Sequence, residues 1–139
     1  MNVLFDASAL FKRYSGEAGV NRVQQLQSTA SVVTAAVHCK TEVASALTRQ
    51  WREGAFSDWE YQRVLADIHA DFDDLAVMPL SSQAERYAIA AMRLVTLRGM
   101  DALHIGTAQA AGVDLFVTAD KRQAAAAQTV GLKTELIEA

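Results

Sequence analysis

Met1-Asn2-Val3-Leu4-Phe5-Asp6-Ala7-Ser8-Ala9-Leu10 opens the chain with a short apolar run, an aspartate and then small and apolar residues. Val3 to Phe5 reads as a strand, because a brief continuous apolar run closed by a turn-forming residue suits a strand covered on both faces. Asp6 then stands at the carboxyl end of that strand, and Phe11 and Tyr14, at helical spacing, mark a short helix behind it. The same alternation repeats outward. Ser31 to Val33, Ala76 to Met78, Leu115 to Val117 and Thr134 to Ile137 are further short apolar runs, which gives five strands in all.

The intervening segments carry helical spacing. Val20, Val23 and the Leu26 region mark one helix; Val37, Ala44, Leu47 and Trp51 mark another over roughly 37 to 53, with Gly54 as its C-terminal cap. Ser57, followed three residues later by Glu60, is a capping box that opens a helix running to about Leu75. Ser82 and Glu85 repeat the box and open a helix that Gly99 stops; Met100 to Ala111 and Lys121 to Val130 are two more, ending at Gly112 and Gly131. Strands alternating with helices predict an α/β sandwich with a parallel sheet and helices on both faces. Such sheets bind ligands beyond the carboxyl ends of their strands, where strand order reverses.

At 139 residues the chain fits one domain, 1–139, with enough length to bury a core without disulfides or structural zinc. Hydrophobic residues make up 51% and charged residues 21%, the balance of a folded globular chain. The start has no basic region ahead of its apolar run, and no stretch approaches the length of a membrane span, so a soluble protein is expected. A lone cysteine, Cys39, makes no internal disulfide and sits in an apolar helical stretch, where cysteine packs; the expected compartment is the reducing cytoplasm. The net charge of -3 supplies no broad basic field for nonspecific DNA binding. It leaves open an enzyme that holds a phosphodiester through divalent cations.

Four acids fall where such a site would lie. Asp6 and Asp120 follow the first and fourth strands, Asp101 begins a helix just after Gly99, and Glu42 lies about one turn into the helix after the second strand. Hard ions such as Mg²⁺ and Mn²⁺ take oxygen ligands, and paired ions clamp the attacking and leaving oxygens of a displacement at phosphorus. Without metal the acids repel: two carboxylates about 4 Å apart cost on the order of 4 kcal/mol at an effective dielectric of 20. Plainer roles exist for each. Asp6 and Asp120 precede helices and suit N-caps, Asp120 with Gln123 at capping-box spacing; Asp101 suits a helix macrodipole, and Glu42 a solvated surface.

Leu4-Phe5-Asp6-Ala7-Ser8-Ala9-Leu10 resembles the opening of PIN-domain nucleases, with an aspartate ending the first strand and a hydroxyl residue two positions on. Thr41-Glu42-Val43, Arg98-Gly99-Met100-Asp101-Ala102-Leu103-His104 and Val117-Thr118-Ala119-Asp120-Lys121-Arg122 resemble the other three signatures, in the family's order. The resemblance spans the chain and is weakest around Glu42. It implies a three-layer α/β/α sandwich with a five-stranded parallel sheet of order 3-2-1-4-5, and an Mg²⁺- or Mn²⁺-dependent ribonuclease. Asp6 and Asp101 would be principal metal ligands, Glu42 and Asp120 would complete the pocket, and Ser8 and Thr118 would orient the acids. Water would attack phosphorus without a covalent enzyme intermediate.

A short chain of this kind is similar to the VapC-type toxins of toxin-antitoxin pairs, which implies a homodimer and a cognate antitoxin covering the pocket. The hairpin from Val37 to Leu75, bearing Trp51, Phe56, Trp59 and Tyr61, is the segment chosen for partner contact, against plain core packing. His104 shares a helical face with Asp101 and has no required role in that mechanism. Lys12, Arg13, Lys121 and Arg122 are candidates to hold RNA phosphates, against ordinary surface charge. A receiver domain would need an aspartate after the third strand, where Pro79-Leu80 stands, and a dehalogenase-like phosphatase would need a second acid at Ser8. The non-enzymatic alternative is a catalytically silent PIN fold that binds RNA or protein.

Overall fold

The computed structural model describes residues 1–138. The chain runs β1 (Asn2–Phe5), α1 (Ala7–Ser15), α2 (Val20–Thr29), β2 (Val32–Ala36), α3 (Cys39–Arg52), α4 (Asp58–Asp73), β3 (Ala76–Met78), α5 (Ser82–Leu94), α6 (Gly99–Ala111), β4 (Leu115–Thr118), α7 (Lys121–Thr129) and β5 (Thr134–Leu136). The strands form one sheet in the order β3-β2-β1-β4-β5, and every neighbouring pair is parallel.

Strand alternation divides the core in two. Val3, Phe5, Leu115 and Val117 pack with Leu10, Val43, Leu47, Ile68 and Phe72 of α1, α3 and α4. Leu4 and Phe116, one residue out of phase, pack with Ala91, Ile105, Ala108 and Ala126 of α5, α6 and α7. Both faces of β1 and β4 are thus covered, which is why these strands read as continuous apolar runs. Burying one such side chain stabilises the fold by about 1.5–3 kcal/mol relative to exposure.

Three expected boundaries are corrected. The second strand, expected over Ser31 to Val33, is Val32–Ala36. Thr34, Ala35 and Ala36 pair with Ala76, Val77 and Met78, and the ladder overrides the low strand preference of alanine. The box expected from Ser82 and Glu85 is a simple cap by Ser81, whose hydroxyl accepts from the Ala84 amide. That helix ends at Leu94, where Val95 is extended, and Gly99 opens α6 instead of stopping α5. The box of Ser57 and Glu60 is present, with both reciprocal bonds.

Because β1 and β4 are adjacent while the chain builds outward from each in opposite directions, the reversal point lies between them. Their carboxyl ends carry Asp6 and the Thr118-Ala119-Asp120 turn. The Asp6 amide donates to the Val117 carbonyl at 3.0 Å, extending the ladder to the edge of that crevice.

Candidate active site

Asp6 is only 4% exposed, and its carboxylate is held on both oxygens. Oδ1 accepts from the Ser8 hydroxyl at 2.7 Å and from the Ala9 amide at 3.0 Å; Oδ2 accepts from the Thr118 hydroxyl at 2.5 Å. The Ser8 and Thr118 oxygens in turn accept from the amides of Ala119 and Asp120, at 2.9 and 3.1 Å. Each hydroxyl thus gives its one proton to Asp6, and the two pairs of bonds fasten the turn after β1 to the turn after β4. A carboxylate has about four lone-pair directions, so one on Oδ2 stays available. Burial pushes the Asp6 carboxyl above its ordinary value, against the charge of His104 and the bonds from Thr118, Ser8 and Ala9.

Asp6 is therefore the N-cap of α1, and Asp120 caps α7 through Oδ1, which accepts from the amides of Arg122 and Gln123. These cap roles and a metal role are compatible, because each uses only part of the carboxylate. The reciprocal half of the Asp120–Gln123 box is absent. Gln123, 1% exposed, instead donates from Nε2 to the Asp101 carbonyl at 2.9 Å and ties the start of α7 to α6.

Glu42 and Asp101 approach from α3 and α6. The Glu42 Oε1 accepts from His104 Nε2 at 2.5 Å, and His38 Nε2 lies 3.2 Å from the same oxygen. His38 Nε2 also donates to the Met100 carbonyl at 2.8 Å, and the two imidazole rings lie 4.2 Å apart. Burial works to raise Glu42, but the His104 hydrogen bond and the charges of His104 and His38 outweigh it and hold the carboxyl below its ordinary value. Asp101 is raised by burial and then by the charges of Glu42 and Asp120, opposed by His104 and Arg98. Burial, together with the charge of His104, keeps His38 below its ordinary value despite Met100, Glu42 and Asp101.

Two recesses meet at Asp120. One, of about 500 Å³, is lined by Arg98, Asp101, Arg122 and Gln123; the other includes Ser8, Lys12, Glu42 and Arg49. Of the basic candidates, Lys12 and Arg122 face these recesses, whereas Arg13 lies 3.6 Å from Asp71 and Lys121 lines a separate hollow near Ile137. Cys39 is buried, its thiol pushed well up by burial and by the charges of Asp6 and Glu42, and it packs. In the α3–α4 hairpin, Trp51 stacks on Tyr61, and Phe56 and Tyr61 pack on the core; Trp59 alone of the four aromatics is mostly exposed, at 68%.

The sequence reading missed His38, Arg49 and Arg98. His38 had a signal, since it precedes Glu42 by four residues and so shares a face with it. Arg98 had one too, standing three residues before Asp101 in the third signature, whereas Arg49 had none, because its place in the recess with Asp120 depends on the packing of α3.

Residues 3–128 match the family model described as PIN domain. No curated protein matches the sequence. The fold is similar to that of VapC20 from Mycobacterium tuberculosis, described as a sarcin-ricin loop cleaving toxin, with TM-score 0.70 and 15% identity over 94% of this chain and 95% of that one. It is similar also to DNA-bound VapBC from Salmonella typhimurium, with TM-score 0.71 and 14% identity over 99% of each chain. A third likeness is to VapBC2 from Rickettsia felis bound to a promoter DNA fragment, with TM-score 0.70 and 11% identity over 99% and 100% of the two chains.

Proposed function

The chain belongs to the PIN domain family, and on that premise we propose that it is a metal-dependent ribonuclease, the toxin of a toxin-antitoxin pair, with Asp6, Glu42, Asp101 and Asp120 as its catalytic acids. What carries this reading is the state of Asp6. Its carboxylate is buried at the sheet's reversal point, it is fixed by Ser8 and Thr118, and among the described residues no lysine or arginine pairs with it. Nor do Asp101 and Asp120 have such a partner among the described residues. Acids without basic partners suit a hard divalent cation that draws them together; among the described residues the one group of three or more such ligand atoms already within 4.8 Å of one another is that of His38, Glu42 and His104.

Mg²⁺ or Mn²⁺ fits this oxygen-rich set, and Asp6, Glu42, Asp101 and Asp120 would hold it. When bound, such an ion neutralises phosphodiester charge and makes a bound water more acidic. The chain's own residues do the rest. Ser8 and Thr118 fix Asp6, His104 fixes Glu42, and Gln123 steadies the backbone that carries Asp101. Arg98 and Arg122 on one side of Asp120, and Lys12 and Arg49 on the other, hold the phosphates of a strand laid across the acids. A carboxylate of the cluster takes the proton of the attacking water, and the chain forms no covalent bond to RNA.

A cognate antitoxin, a homodimer and a cytoplasmic setting belong to the same proposal. The antitoxin is supported by the likeness to VapBC of Salmonella typhimurium, and no helix among the described residues is long and apolar enough to cross a membrane. The test is incubation of purified, partner-free protein with total cellular RNA and Mg²⁺ or Mn²⁺. Discrete fragments that vanish with EDTA are expected; fragments that persist in EDTA would contradict the proposal.

A further inference from the structure

His38, Glu42 and His104 place three ligand atoms within 4.8 Å of one another, beside the acidic cluster and with donors of a different kind. We propose that these three residues form a second cation site, which takes an imidazole-binding transition metal such as Zn²⁺ or Co²⁺ in preference to Mg²⁺, and that filling it inhibits cleavage by drawing Glu42 away from the acids. The inhibitory half rests on the nuclease reading above; the binding half does not.

Two imidazoles and a carboxylate are a set that zinc accepts in tetrahedral geometry, whereas Mg²⁺ is reluctant to exchange oxygen for nitrogen. Tetrahedral ligands at metal bonds of about 2.0 Å lie about 3.3 Å apart. The present separations from Oε1 are 2.5 Å to His104 Nε2 and 3.2 Å to His38 Nε2, so a small opening on the His104 side makes room. Each Nε2 now carries a proton, given by His104 to Glu42 and by His38 to the Met100 carbonyl. A cation takes the place of both protons: a neutral ring moves its proton to Nδ1, and a charged ring releases one to solvent. His104 Nδ1 is buried with no partner among the described residues, so that shift breaks no hydrogen bond other than the one to Glu42 but leaves the new N–H without an acceptor, a cost the metal bonds must offset.

Glu42 is the residue the two sites share. Its Oε1 faces the histidines, while its charge acts on Asp101. A cation between the histidines therefore competes for the carboxylate that the acidic cluster requires. The nearby thiol of Cys39 adds no sulfur ligand, because it is buried and donates to the Phe5 carbonyl.

The test titrates the full chain with Co²⁺ in excess Mg²⁺, following visible absorption, with no RNA present. One Co²⁺ per chain is expected, and His38→Ala and His104→Gln should each weaken its binding by roughly tenfold or more, whereas Asp120→Asn should leave it near wild type. Thermal unfolding of each variant is followed alongside, and His38→Asn replaces His38→Ala if the latter fails to fold. Binding that is indifferent to both histidine substitutions, or that is lost in Asp101→Asn, overturns the site by placing the ion on the acids. In the cleavage assay Zn²⁺ should inhibit the Mg²⁺-supported reaction of wild type and spare that of His38→Ala. If no preparation cleaves RNA, the nuclease reading fails, while the Co²⁺ titration still decides the site.

Discussion

Nε2 of the buried His104 lies 2.5 Å from Oε1 of Glu42, so a glutamate in the first turn of α3 is anchored by a side chain from α6. A hydrogen bond to a charged group contributes about 2 kcal/mol, and His104→Ala is expected to lower stability by that order and cleavage by on the order of tenfold. His104→Gln, which keeps a donor, should recover part of both. Folding depresses Glu42 below its ordinary value of 4.5, so its contribution is fully present above that pH and is lost as pH falls through the folded value. Urea unfolding of wild type and His104→Ala should therefore differ most near neutrality and converge in acid.

The Thr118 hydroxyl donates to Asp6 Oδ2 and accepts from the Asp120 amide, joining two of the four acids. Thr118→Val keeps the shape and deletes both bonds inside a buried site, which should destabilise by about 2 kcal/mol. Loss of kcat with little change in KM is expected, since Thr118 orients an acid and touches no RNA. Thr118→Ser should restore turnover; if valine and serine behave alike, the hydroxyl has no orienting role.

Asp6 and Asp101 are raised above their ordinary value of 3.8, Asp6 by burial and Asp101 by burial with its acidic neighbours. Between the ordinary and raised values the folded state binds more protons than the unfolded one, so metal-free stability falls as pH rises through that window. A divalent cation favours the charged forms and reverses this penalty. The gain in Tm on adding Mg²⁺ should be larger at about pH 7.5 than at about pH 4, measured by differential scanning fluorimetry with an EDTA control.

Much of this arrangement was legible in the sequence because it depends on local rules. The apolar runs of β1 and β4 identify doubly covered strands, and Asp6 and Asp120 follow them at fixed distances along the chain, so their place at carboxyl ends of strands came from order alone, while the strand order that puts the reversal between them came from the family resemblance. Ser57 with Glu60 marked a helix start for the same reason. The boundaries of β2 were not legible, because Thr34, Ala35 and Ala36 are held by partners on β1 and β3 and not by their own propensity. His38 reaches Glu42 locally, four residues before it, whereas only the approach of α6 to the start of α3 brings His104 to the same carboxylate.

Gly106 gives a test of the scaffold away from the acids. A Cβ there would lie 2.2 Å from the Ala84 carbonyl oxygen and 2.8 Å from the Ala88 amide nitrogen, so α5 and α6 meet backbone to backbone. Neither atom can turn aside as a side chain would. Gly106→Ala is expected to destabilise by about 3 kcal/mol through overpacking, with thermal unfolding as the readout. An unchanged Tm would mean that the two helices separate at little cost.

The most direct measurement compares cleavage of total RNA by wild type, Asp6→Asn and Asp101→Asn over a range of Mg²⁺ concentrations. Asparagine keeps size and hydrogen bonding but removes the charge that would hold the ion. Metal-dependent fragments from wild type, and losses on the order of a hundredfold or more in both folded variants, are the expected result. Cleavage that persists undiminished in either variant would contradict a nuclease built on these acids.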